Sequence, residues 1–372
     1  MAIAMVIAPL YLSEIVPSKH RGKAVTSSNI FNLISGVIGT VIANATYSRP
    51  DNSAYRIPIA IQAAMPTILI PATLFIPESP MWLIMNGREE EARKNLRSLR
   101  AFDDKFLYDE VRVMRLNYEK EQLLTRETKI TDLFTKENIQ RTLVAGSMYS
   151  VNQISGVILS STYATVFLTA LGVGNPFQLT IAASCTILAG TCIAPLVVDR
   201  IGRRPVAIIG MSVLMIIDFI AGGLAFYLDS NDVPLAIASL SFIFNVVWAA
   251  SFYCLSLTLP TEIPTPRLRN LTASYTLGCA YTTAVITTFA VPQLVSADAA
   301  NLGAKTYLVF GCCVAIVLAF YYFFLPETAG RTFAEIDEMY ENKVSPRKWK
   351  KYKTSAASRQ AVVVSDPSIV HA

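Results

Sequence analysis

Six side chains carrying an amide or an indole stand inside long apolar stretches: Asn29, Gln62, Asn152, Gln153, Asn245 and Trp248. An amide both donates and accepts, so it can hold a polar solute without the desolvation cost of a full charge. It can equally hydrogen-bond a neighbouring helix where water is excluded. Residue type and position leave these two uses evenly weighted. One acid, Asp218, also lies deep in an apolar stretch. An ionisable group there is a functional suspect by default, and the competing reading is a structural bond to a neighbouring helix.

No catalytic constellation accompanies these residues. Glycine-rich nucleotide loops, G-x-S-x-G and H-E-x-x-H are all absent, so an enzyme is not expected. The two histidines, His20 and His371, cannot form a cluster. The six cysteines (Cys185, Cys192, Cys254, Cys279, Cys312, Cys313) lie in or beside apolar segments without C-x-x-C spacing. They read as small hydrophobes, and no metal, haem or other cofactor is implied. The formal charge of +5 is weak grounds for nucleic-acid binding, and none is expected.

The elements that must position the amides are membrane spans. The 372 residues are 53% hydrophobic and 16% charged, against about 25% charged in a soluble domain. Stretches 25–43, 57–76, 143–170, 177–198, 206–228, 234–259, 271–291 and 306–325 approach or exceed the roughly 20 residues that cross a bilayer core as helix. Residues 1–12 are apolar but too short to cross, and read as the end of a longer helix. The fold class expected is therefore an all-α polytopic membrane protein with eight full spans and one partial one.

Charge orients those spans. Of the 32 basic residues, only Arg49, Arg56 and Lys305 lie in the connectors 44–56, 171–176, 229–233 and 292–305. The others lie in the alternate connectors 13–24, 78–142, 199–205 and 261–270 and in the tail. Basic flanks stay on the cytoplasmic side, which places those connectors and the C-terminus inside. The alternation needs no reversal at any span.

Four segments follow: 1–78, the remainder of an N-terminal helical bundle; 79–141, a cytoplasmic linker with amphipathic helices; 142–325, a six-helix bundle; and 326–372, a cytoplasmic tail. Within the linker, Asn86-Gly87 signals a turn, and Glu89/Arg93 and Glu90/Lys94 are spaced as i,i+4 pairs on a following helix. After Tyr340 the tail is basic, then small and polar, and no fixed structure is expected there.

The cytoplasmic ends are rich in charge. Asp199-Arg200-Ile201-Gly202-Arg203-Arg204-Pro205 joins two spans, with Gly202 permitting a tight reversal and Pro205 suiting the next helix's first turn. The arginines can anchor to anionic lipid or form an ion-pair latch with Asp199, and the latch is favoured. Glu14 with Arg21, and Glu262 with Arg267 and Arg269, have the same placement. Glu78 closes the inner end of another span.

Taken together, these motifs resemble the sugar-porter branch of the major facilitator superfamily. Pro9-x-Tyr11-x-x-Glu14…Arg21-Gly22 looks like the end of helix four. Pro77-Glu78-Ser79-Pro80 with Trp82 is similar to the signature after helix six, and Asp199–Arg204 to the loop after helix eight. Glu262 with Arg267 and Arg269 matches the loop after helix ten. Pro326-Glu327-Thr328-Ala329-Gly330-Arg331-Thr332 matches the close of helix twelve. The style is similar to fungal hexose and α-glucoside permeases.

The resemblance implies two six-helix halves working by alternating access, with helices one to three and the start of four lacking here. It implies a secondary carrier of a sugar or polyol, driven by protons, in the plasma membrane, in contact with lipid and with no obligate protein partner. Proton-coupled members place the coupling acid in helix one, and no counterpart is assigned in this chain. By the same resemblance Asn152, Gln153, Tyr163 and Asn29 would line the solute site, to which Asn245 is added from its place in a span, whereas a family asparagine falls on Ile158. Tyr253-Cys254-Leu255-Ser256-Leu257 replaces the family's Gly-Pro-x-x-Trp run. Glu14, Arg21, Glu78, Asp199, Arg200, Arg203, Arg204, Glu262, Arg267, Arg269, Glu327 and Arg331 would form the cytoplasmic gate. The alternative is a non-transporting, truncated or sensor-like protein that retains the scaffold.

Overall fold

The computed structural model describes residues 11–12, 15–16, 18–99, 108, 111–116, 118–119, 128–163, 176–227, 232–265, 267–296, 298–331 and 333–352. The chain divides into two compact units, Met1–Glu127 and Thr128–Ala372. All regular structure among the described residues is helical.

In the first unit, α1 (Ser18–Tyr47) packs along α2 (Ser53–Thr73). α2 buries no residue, and Ile59, Ile68 and Ile70 are exposed along it. Apolar side chains need no protein cover where the surrounding solvent is hydrocarbon. Two short helices follow, α3 (Pro80–Met85) and α4 (Glu89–Leu99). The Ser79 hydroxyl caps α3 by accepting from Trp82 N at 3.3 Å, and Pro80 takes the first helical position. Leu83, Ile84, Ala92, Leu96 and Val111 form a small apolar core beneath them. On α4 the charge pairs differ from the i,i+4 expectation. Glu90 meets Arg93 at 3.1 Å, Glu91 meets Arg88 at 2.5 Å, and Glu89 reaches Arg115 at 2.7 Å. These pairs are largely solvated and contribute little to stability.

The second unit contains α5 (Ile139–Ile154), α6 (Pro176–Ile201), α7 (Arg203–Leu224), α8 (Asp232–Trp248), α9 (Cys254–Glu262), α10 (Arg269–Val295), α11 (Thr306–Phe324) and α12 (Phe333–Glu341). α5 packs along α10, α7 along α11, and α8 along α6. α7 illustrates the packing rule. Val206, Gly210, Leu214, Ile217 and Ala221 recur every three or four residues and are buried, while Ile209, Ile216 and Ile220 on the other side are exposed. A helix apolar all round, with only one face covered by protein, is what a bilayer permits.

Among the described residues, six helical stretches are long and apolar enough to cross a membrane: Ile30–Tyr47, Phe177–Val198, Arg203–Leu224, Val233–Glu262, Arg269–Val295 and Gly303–Phe324. Two predicted spans are not among them. In the 57–76 region, α2 ends at Thr73 and carries Arg56 and three prolines. In the 143–170 region, α5 stops at Ile154, and Gly156 adopts φ +82°. A π-helical turn, Leu159–Tyr163, follows, and residues 164–175 lie outside those described. The break is sterically specific, since a side chain on Gly156 would meet Phe310 Cβ at 3.2 Å. A second π-helical turn, Ala249–Tyr253, separates α8 from α9.

The tail also departs from expectation. Residues 346–351 form a 3₁₀ turn, Pro346–Lys351, and Trp349 is fully buried against Ile336 and Met339. Its indole N–H donates to Val344 O at 2.9 Å. One large aromatic in a basic run is enough to order the segment.

The α7–α11 contact separates two adjacent glycines. A Cβ on Gly222 would stand 2.6 Å from Leu308 Cγ and 2.9 Å from its backbone nitrogen, whereas one on Gly223 meets nothing within 4 Å. Gly222→Ala is expected to lose about 1–3 kcal/mol to overpacking, while Gly223→Ala is neutral or slightly stabilising. Thermal unfolding of the detergent-solubilised protein checks this, and equal midpoints for the two variants would refute the close approach.

Candidate functional site

The connection between α6 and α7 is two hydrogen-bonding problems solved by one carboxylate. A helix begins with orphan N–H groups and the positive end of its dipole. At α7 these are met by Glu327, which lies just beyond α11. Its Oε1 accepts from Arg203 N at 3.0 Å and its Oε2 from Arg204 N at 3.2 Å. Oε1 also accepts from Ala329 N at 3.0 Å, which fixes the turn that carries it. Gly202 makes the approach possible. Its φ is +104°, and a Cβ there would stand 2.8 Å from Glu327 Oε2.

Glu262, the last residue of α9, joins the same cluster. Its Oε1 takes Arg203 Nη2 at 3.4 Å, and its Oε2 accepts from the Thr328 hydroxyl at 2.6 Å. Arg204 Nη2 donates to Tyr322 O at 2.8 Å. The ends of α7, α9 and α11 are thus clamped by two acids, two arginines and a threonine. Beyond the clamp, Arg331 pairs with Glu335 at 2.9 Å and donates to Trp349 O at 2.8 Å and Tyr352 O at 2.7 Å.

A second tie lies at the start of α5. Buried Arg141 pairs with Asp337 and stacks over Tyr340 at 4.2 Å. Burial pushes the Tyr340 phenol above its ordinary range. Arg267 pairs with Asp132 at 2.6 Å, at the rim of a cleft of about 500 Å³ that Lys136 and Glu137 also line. Arg269 opens α10 half-buried, and Arg200 is exposed at the end of α6. In the first unit, Glu78 accepts from Ser79 N at 3.2 Å, and its carbonyl accepts from Asn95 at 3.0 Å. Glu14 lies outside the described residues. Arg21, Asn29, Tyr163 and Asp199 have described helical backbone, but their side chains lie outside the description, so the predicted Asp199 latch has no observed geometry.

Inside the bundle, the predicted amides act as rungs between the two interrupted helices. Asn152 Nδ2, on α5, donates to Ser256 Oγ on α9 at 2.8 Å. Asn245 Nδ2, on α8, donates to Ser160 O in the π turn after α5, at 3.4 Å. Both amides are buried, and among the described residues the Oδ1 of each has no hydrogen-bond partner. Trp248 Nε1 is likewise unpartnered, with its ring 5.5 Å from that of Tyr253. Gln153, adjacent to Asn152, is half-buried, whereas Gln62 on α2 is exposed. Asp218 is fully buried beside Gly156 and Gly311, and neither carboxylate oxygen has a hydrogen-bond partner. Among the described residues no donor from a neighbouring helix reaches it.

Sequence reasoning missed Thr328, Ser256, Asp132 and the Arg141–Asp337 pair. Thr328 sits within a motif already singled out. Ser256 lies in the run that replaces Gly-Pro-x-x-Trp, where its own role is unmarked, and the others are ordinary residues; their partners are 104 to 196 positions away.

The family described as "Sugar (and other) transporter" matches residues 1–340. The chain is 32% identical to a general alpha-glucoside permease of Saccharomyces cerevisiae over 92% of its own length, and it spans 57% of the permease. It is 26% identical to a high glucose sensor of the same species, over 94% of this chain and 47% of the sensor. Among solved structures it is similar to the inward-open xylose transporter XylE from E. coli, with a TM-score of 0.70 and 21% identity over 88% of this chain and 68% of that one. XylE is described as a major facilitator superfamily proton:xylose symporter.

The clamp makes a coupled prediction. Glu327→Ala removes the cap of α7 and is expected to lower stability by about 1–2 kcal/mol. Gly202→Ala strains the same turn and collides with the same carboxylate. In a double-mutant cycle read by thermal unfolding, the pair is expected to lose less than the sum, by at least about 0.5 kcal/mol. Strict additivity would mean that the two residues act separately.

Proposed function

We propose that this chain, which belongs to the sugar-transporter family of the major facilitator superfamily, carries a sugar or related polyol across a membrane by proton-coupled alternating access. It is an all-α, multi-pass membrane protein and not an enzyme. On this reading eight complete spans and one partial one belong to a twelve-helix scaffold, with 1–78 in the first bundle, 79–141 linking and 142–325 forming the second. The tail from 326 and the other basic connectors face the cytoplasm, and the membrane is the plasma membrane.

The observation that carries the reading is the pair of amide rungs between interrupted helices. Asn152 and Asn245 each hold a neighbouring helix with the NH₂ and keep a carbonyl oxygen that has no partner among the described residues. A sugar hydroxyl is a donor of the kind such an oxygen lacks. Gln153, Tyr163 and Asn29 complete the proposed solute contacts. π-helical turns such as Leu159–Tyr163 and Ala249–Tyr253 are common at functional sites, and here they put the pliable parts of two helices beside the amides. At the cytoplasmic end, the clamp of Glu327, Glu262, Arg203 and Arg204 ties three helices so that they move as one body. Glu14, Arg21, Glu78, Asp199, Arg200, Arg267, Arg269 and Arg331 are assigned to the same cytoplasmic gate. Similarity to a high glucose sensor favours, as a second reading, a chain that binds sugar without moving it.

Reconstituted protein, offered α-glucosides, hexoses and xylose under an imposed pH gradient, tests the proposal. Accumulation of at least one sugar, abolished by a protonophore, is expected, with Asn152→Ala raising its KM about 3–10-fold. Sugar binding without accumulation would move the chain to the sensor reading. Neither binding nor uptake across the panel would remove both.

Glu262→Gln separates gate from pocket. Because Glu262 touches Arg203 and Thr328 and none of the amides, turnover is expected to fall while the KM for sugar stays within about twofold. A raised KM at unchanged turnover would contradict the assignment.

A further inference from the structure

The last turn of α11 and the 3₁₀ turn Pro346–Lys351 bring together cations that no carboxylate neutralises in contact. Arg347 lies over the rings of Tyr322 and Phe323, at 4.2 and 4.7 Å. Arg204 donates to the carbonyl of the same Tyr322. Lys348 is exposed beside Arg347. Among the described residues none of the three cations has an ion-pair partner. The carboxylate whose field reaches Arg204 is Glu327, and both its oxygens are taken by backbone N–H groups.

This arrangement is held in place. Trp349 is fully buried, and Arg331 binds the carbonyls of Trp349 and Tyr352, so the turn carrying Arg347 and Lys348 cannot drift away from α11. Tyr322, Phe323 and Phe324 are about half exposed at the end of a membrane-crossing helix, and Ile316 two turns earlier is 72% exposed. Exposed aromatics at a span's end sit at headgroup level, and exposed apolar residues below them face acyl chains.

We propose that Arg347, Lys348 and Arg204 form a binding site for the phosphate of an anionic glycerophospholipid, with its chains lying along α11. The guanidinium of Arg347 is restrained by its contacts with two rings, and its N–H donors remain available to phosphate oxygens. Tyr322 serves both arginines, its ring for Arg347 and its carbonyl for Arg204, so the two charges stay close despite their repulsion. An anion between them relieves that repulsion. A lipid is favoured over a soluble phosphate because the apolar face continues from the charged site. The inference rests on the reading that this end of α11 meets the inner leaflet, where anionic lipids concentrate.

The test uses the purified full chain in mild detergent, titrated separately with short-chain phosphatidylserine, phosphatidylcholine and inorganic phosphate, with adducts read by native mass spectrometry. Phosphatidylserine is expected to bind in preference to phosphatidylcholine. Arg347→Gln should weaken that binding about fivefold, Lys348→Gln should weaken it as well, and Arg347→Lys should lose less than Arg347→Gln. Unfolding midpoints are compared first, and Lys348→Gln, at an exposed position, serves if Arg347→Gln unfolds. Equal phosphatidylserine binding in wild type and the folded glutamine variants would overturn the site. So would phosphatidylcholine binding as tightly as phosphatidylserine. Inorganic phosphate bound as tightly, with the same dependence on Arg347, would overturn the lipid in favour of a soluble anion. Because adducts are measured and not uptake, a failure of transport leaves this readout unchanged.

Discussion

The carboxylate of Glu327 on the first N–H groups of α7 is the contact around which the second unit is organised at one end. A helix that enters hydrocarbon cannot leave its terminal N–H groups bare, and water at that end competes with any partner. A carboxylate supplies both acceptors and the charge that the dipole favours. Once it is seated, the surrounding polar groups have little freedom left. Arg203 turns to Glu262, Thr328 takes the second oxygen of Glu262, and Arg204 reaches Tyr322. The solvated pairs of α4 show the contrast: they have similar distances and no comparable consequence, because water replaces either partner at small cost.

The bundle interior follows a different logic. Apolar packing discriminates weakly between helix arrangements when lipid is as apolar as the side chains, so the few polar contacts select the register. Asn152 with Ser256 and Asn245 with Ser160 do so across two helices that each contain a π-helical turn. Such turns release backbone from strict i→i−4 bonding, which makes them tolerable only where side chains hold the helices together. Asp218 stands apart, buried next to the break at Gly156 with no hydrogen-bond donor to its carboxylate among the described residues.

Much of this was legible in the residues. The seven-residue loop from Asp199 to Pro205, with one glycine placed to reverse the chain, announces a tight turn between spans, and that turn is present. Glu262, Glu327 and the arginines stand at helix ends, where charge must be in a membrane protein, and they do cluster. What could not be read was who pairs with whom. Sequence adjacency sets Glu262 beside Arg267 and Arg269, whereas its contacts to Arg203 and Thr328, and that of Arg267 to Asp132, arise because helix packing brings distant ends together. The break after Ile154 was hidden for a similar reason. Gly156 reads as a small residue in an apolar run, and only the approach of Phe310 gives its missing side chain a purpose. Trp349 was lost in a basic tail whose average composition argues for disorder, although one buried indole outweighs that average.

The clamp also has a history within each molecule. Arg203 and Glu327 are 124 residues apart, so when α7 leaves the ribosome its capping acid has not yet been synthesised. Until α11 and the turn after it are made, the start of α7 has to borrow acceptors from water or from lipid headgroups. Threading the spans into the membrane and locking them together are therefore separate events in biosynthesis, and the second waits for the end of the message. A ribosome that stalls before Glu327 leaves helices that are inserted but unlocked, with the loop around Gly202 open to the quality-control machinery on the cytoplasmic side.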